Sequence, residues 1–196
     1  MKVIGRYQGF TDRHNFGVLL GVKLPTGSHT LTGTSTDPTA PGPVAIDRGL
    51  QPGTGTTDLI AGAYYADGIN EDWDYFLQGL YQSALKSSDQ YRPGNGTNVS
   101  FGLRYAGFTS FTPQVQLNVR HVQRDSGANA DTVSTGGTLA YLSTGGTLAY
   151  LSPGVVVPIS QKASVYGFVQ LPVYRNVNGV QLAPRYTASV GVHYAF

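Results

Sequence analysis

Arg185–Phe196 reads RYTASVGVHYAF, and its alternation decides the fold class. One parity holds Tyr186, Ala188, Val190, Val192, Tyr194 and Phe196; the other holds Arg185, Thr187, Ser189, Gly191, His193 and Ala195. Apolar and polar residues alternate with the period of a β-strand, and aromatics close both ends of the apolar face. A strand of about 9–11 residues, tilted near 45°, crosses a bilayer with aromatics at the two interfaces.

Comparable segments recur towards the N-terminus, at Phe16–Leu24, Trp73–Tyr81, Asn98–Ala106, Gln114–Arg120 and Ser164–Tyr174, with less clean alternation around Val3–Phe10, Leu59–Ala66 and Leu148–Ile159. With the last segment this predicts nine strands. Connections alternate between short (TDRHN, GINED, TSFTP, SQKA) and mostly longer, rich in Gly, Ser, Thr, Asn, Asp and Pro. Short periplasmic turns and long extracellular loops are the outer-membrane arrangement, with residues 28–57 the longest extracellular loop and Phe196 at the periplasmic rim. The expected fold is therefore all-β, an antiparallel transmembrane up-and-down β-barrel occupying residues 1–196 as a single domain. Single-chain bacterial barrels have an even strand number, so nine visible strands predict an N-terminally incomplete barrel of ten to twelve.

Composition agrees with this class. Of 196 residues only 12% are charged, with 26 Gly and 13 Tyr, no cysteine and a net charge of +2. A soluble domain carries about 25% charged residues, and no basic run suggests nucleic acid. A lipocalin-like barrel or β-sandwich also alternates, but would show Lys and Glu on its polar face, where this chain has Gln, Asn, Ser, Thr, Gly and occasional Arg. A direct repeat, STGGTLAYL at residues 134–142 and again at 143–151, matches no structural repeat period and reads as a recent duplication, an engineered feature or an assembly error.

Catalytic constellations are thin. The four histidines are scattered without metal-ligand spacing, so no metal, cofactor or enzyme activity is expected. On the inward parity fall Arg6, Lys23, Arg104, Arg120 and Arg124, opposed chiefly by Asp74. They form either an internal network with Asp74, Asp47 and Asp58 or a basic constriction that attracts anions. Tyr166, Phe168 and Tyr174 share a parity with Gln170 and would fill the lumen or face aromatic solutes. Trp73, Tyr75, Tyr105, Tyr186, Tyr194 and Phe196 read as interfacial girdle.

Several stretches together resemble a proteobacterial family of outer-membrane transporters linked to phenol and aromatic degradation pathways. They are RYQGFTDRHNFGVLLGVKLPTGSH, DRGLQPGTGTTDLIAGAYY, LSPGVVVPIS, VYGFVQLPVYR and YTASVGVHYAF. The closing Tyr194 and Phe196 resemble the signal read by the barrel-assembly machinery. The resemblance implies a bacterial outer-membrane location, lipid and assembly machinery as partners, and passage of small anionic or aromatic solutes. A structural or adhesive barrel with a plugged lumen, and a barrel-borne hydrolase using His193 and a neighbouring serine, are the other expectations.

Overall fold

The computed structural model describes residues 1–35, 37–39, 41–46, 48, 51–127, 145–178 and 185–194. Nine strands form one antiparallel sheet: β1 (Lys2–Tyr7), β2 (Phe16–Lys23), β5 (Asp58–Gly68), β6 (Trp73–Ala84), β7 (Gly96–Tyr105), β8 (Thr112–Val122), β9 (Gly146–Pro158), β10 (Ala163–Val177) and β11 (Thr187–Tyr194). Each pairs with its neighbour in sequence, and β1 and β11 are the two edges, with no pairing to each other among the described residues. No helix among them is long and apolar enough to cross a membrane, which says nothing of strands.

Register fixes which residues share a face, because directly opposed residues point the same way. One row, Leu77, Phe101, Leu117, Leu151 and Leu171, crosses β6 to β10 and is apolar throughout. The row beside it, Gln78, Ser100, Asn118 and Tyr150, points to the opposite face. The distribution is inverted relative to a soluble sheet. The leucine row is exposed in β6, β8, β9 and β10, whereas Ser152 and Asp58 on the polar face are buried. That polar face is concave, since Lys2 of β1 reaches past β2 and β5 to donate to Gln82 of β6 at 2.9 Å.

Glycine and aromatic residues set the packing of the concave face. A methyl group on Gly17, Gly102, Gly154 or Gly191 would overlap the ring of Tyr64, Phe76, Phe168 or Tyr166, respectively. Each ring thus lies over backbone that its neighbouring strand leaves bare. Large residues beside absent ones fill a curved face without voids.

The expected common face of Tyr166, Phe168 and Tyr174 is broken by a bulge. The β9–β10 register shifts between Pro172 and Tyr174, so Tyr174 stands opposite Ala149 on the convex face and is exposed. Proline has no N–H to give the ladder and inside sheets it belongs at edges or bulges. One extra residue there reverses the parity of everything after it, and Arg175 takes the concave register opposite Leu148.

The short connections are residues 8–15, 69–72, 106–111 and 159–162. Three are tied by polar side chains: Thr11 Oγ1 donates to Asn15 Oδ1, Asn70 Oδ1 accepts from the N–H of Asp72 and Trp73, and Ser160 Oγ from Lys162 and Ala163. Residues 28–57 are not without strands, as the sequence suggests. They hold a hairpin of β3 (Thr32–Thr34) and β4 (Pro43–Ala45). Its strands are three residues each, too short to show periodicity. The first of the tandem nonapeptides, residues 143–144 of the second, and Phe196 lie outside the described residues. Gly146–Leu151 of the second copy is the first half of β9, with Leu148 and Tyr150 buried on the concave face.

Candidate functional site

The concave face gathers charge at the end where the long connections emerge. Lys23 closes β2 and Asp58 opens β5, and their pairing in register brings Nζ to 3.0 Å from Oδ2. Asp58 is 2% exposed and also accepts from Thr56 Oγ1 at 2.6 Å and from Gln82. Lys23 reaches Thr54 and Thr56 as well, so the segment before β5 is drawn over the face. A buried carboxylate is tolerated only when its lone pairs are met in this way. Above these groups lies a cavity of about 280 Å³ lined by Lys2, Lys23, Gln82, Asn98 and Arg120 and by loop residues 51–54.

The predicted inward residues divide into separate groups. Arg104 holds Asp74 through Nε and Nη2 at 2.8–2.9 Å, at the short-turn end of β6 and β7. Arg6 stacks over the Tyr64 ring, 3.7 Å from its centroid, a cation–π contact. Arg120 sits opposite Asn98 in register; its Nε is buried and has no hydrogen-bond partner among the described residues. Arg124 lies beyond the end of β8, exposed, and does not join the face. Tyr166 and Phe168 do point inward, 6.2 Å apart, but their rings cover Gly191 and Gly154. The expected network with Asp74 and Asp58 therefore holds for Arg104 and Lys23; Asp47 is outside the described residues.

Three cations escape the sequence reading. Lys2 shares parity with Arg6 on β1, a signal that was present in the alternation. Arg175 is hidden by the bulge. Arg48 lies in the long loop, where no period predicts a direction.

Arg48 organises the loop end. Its guanidinium donates to the His29 carbonyl at 3.0 Å and to Asp89 Oδ2 at 2.9 Å, and lies 5.4 Å from the Tyr91 ring centroid. His29 Nε2 is 3.1 Å from the same carboxylate. Tyr91 Oη in turn donates to Asp125 at 2.8 Å, which also takes the Gly94 N–H at 2.7 Å. Three long connections are thereby joined.

The Arg48 hydrogen bond, with the charges of Arg48 and His29, holds the Asp89 carboxyl below its ordinary range. A depressed folded pKa contributes stability above the unfolded value, near 3.9, and the contribution is lost as pH falls through the folded value. The clamp is therefore expected to hold throughout the range above the unfolded carboxyl value and to open only as pH falls below it, through the depressed folded value. Trypsin cleavage after Arg48 at pH 8 should be severalfold faster in Asp89→Asn than in the wild type. Equal rates for the two proteins would show that the carboxylate does not hold the loop.

The convex face carries the aromatic residues expected of a girdle. At the short-turn end Trp73 and Tyr105 are 5.0 Å apart, Tyr105 and Phe108 5.1 Å, and Phe108 stacks on Phe111 at 4.8 Å. Tyr75 lies 6.0 Å from Tyr65, and Tyr7, Phe10 and Phe16 continue the cluster. Tyr194 shares this face and is exposed, as is Tyr186 just before β11. His193 stands opposite Ser164 in register, with no hydrogen bond between them among the described residues. Those residues also hold no group of three potential metal ligands. No protein-family model matches the chain, and no curated protein matches it.

Proposed function

We propose that the chain forms the wall of a transmembrane β-barrel of a bacterial outer membrane and passes small solutes, with a preference for anions. One observation carries this reading: the leucine-rich row faces out, exposed, while Gln, Asn, Ser and Arg face in. Water favours the reverse arrangement and lipid favours this one. The aromatic cluster at the short-turn end fits an interface belt. Because lipid satisfies no backbone group, the reading requires the β1 and β11 edges to be closed by further strands, in a barrel of ten to twelve. Lipid and the barrel-assembly machinery are then its partners, and Tyr194 with Phe196 the assembly signal.

A plugged, structural barrel is the second reading, favoured by the burial of Thr56 and Asp58 beneath the long loop. Planar-bilayer recording on refolded protein in a KCl gradient separates the two. Discrete steps with an anion-favouring reversal potential are the expected result. Inserted, heat-modifiable protein without conductance would overturn the pore and leave the plugged barrel.

A further inference from the structure

The cavity under the long loop contains more positive charge than its carboxylates use. Asp58 is taken by Lys23, Thr56 and Gln82. Asp125 accepts from Tyr91 and Gly94, and Arg48 is engaged by Asp89. Lys2 donates to the neutral Gln82, and Arg120 to no described residue. Arg120 Nε is one of two buried side-chain polar atoms without a partner among the described residues; the other is the Tyr64 hydroxyl. Arg120 lines the cavity, and no carboxylate among the described residues pairs with its permanent charge, so that charge is free to meet an anion held there. The guanidinium fork matches two oxygens of one planar group, and Asn98 directly opposite adds an amide donor.

We propose that this cavity binds small carboxylates, with Arg120 as the principal ligand and Lys2 and Asn98 beside it. At about 280 Å³ it lies at the small end of ligand sites, which suits anions of a few heavy atoms. The inference deepens the transport reading by naming a solute class, yet binding is measured without conduction. Acetate is the probe, added to the refolded full chain in detergent micelles at low chloride and followed by saturation-transfer NMR. Wild type should show saturable transfer that chloride displaces. Arg120→Gln should weaken it at least tenfold, and Arg104→Gln, which removes the same charge from the same face, should leave it unchanged.

Equal loss in both variants would mean diffuse attraction and overturn the site, as would a wild type that shows no saturable transfer. If Arg120→Gln does not give a heat-modifiable fold, Arg120→Lys keeps the charge without the fork, and unchanged binding there overturns the proposal. Binding without conductance would leave the site and remove the pore. Conductance without saturable binding would do the opposite.

Discussion

Replacing Leu117 by arginine should destabilise the protein in lipid vesicles by about 2–4 kcal/mol, the cost of a cation facing the middle of a bilayer. Leu117 lies at the centre of the convex apolar row and is 41% exposed. In water an arginine at such a position would be tolerated, since surface substitutions usually stay within about 0.5 kcal/mol. The two solvents thus predict different outcomes from the same substitution. Gln116→Arg, the adjacent residue on the concave face, supplies the control and should change stability little. Urea titration of the vesicle-inserted proteins reads both. A Leu117→Arg variant as stable as wild type would remove lipid from the convex face and, with it, the proposed function.

Asp58→Ala should cost about 3–5 kcal/mol, the usual result of removing one member of a buried ion pair. The carboxylate is 2% exposed and satisfies Lys23, Thr56 and Gln82 together. Its loss strands the Lys23 ammonium in a cavity that Lys2 and Arg120 also line. The double variant Lys23→Met with Asp58→Leu should recover only part of the loss, because it removes the stranded ammonium but still leaves Thr56 and Gln82 without their acceptor. Denaturant unfolding of the three variants tests this. A single variant within 1 kcal/mol of wild type would show that the pair does not organise this end of the sheet.

The nine strands were legible because alternation is a local property. Leu77, Phe101, Leu117 and Leu171 follow the apolar parity of their own segments, whereas Leu151, in a segment of blurred alternation, joins them only through register. Arg6, Lys23, Asp74, Arg104 and Arg120 fell on the concave face for the same reason. Tyr174 did not, because parity counting carries no information past a bulge; Pro172 was the available warning. Arg124 failed differently, since β8 ends at Val122 and alternation has no meaning beyond it. Pairing could not be read either. Whether Arg104 meets Asp74 or Asp58 depends on which strands adjoin, and sequence parity assigns both acids to one face. The Arg48 clamp joins three loops and had no periodic trace at all.

The rings of Tyr64, Phe76, Phe168 and Tyr166, each laid over a glycine of the next strand, make four residue pairs into units of covariation. Neither member can drift alone: a larger residue in place of Gly102 collides with Phe76, and a smaller one in place of Phe76 leaves a void over Gly102. The bulk can change strands while the sum of the two volumes stays constant. Among divergent relatives of this chain, such positions would look variable one at a time and constrained only as a couple, and their correlated exchange would report strand neighbours from sequence.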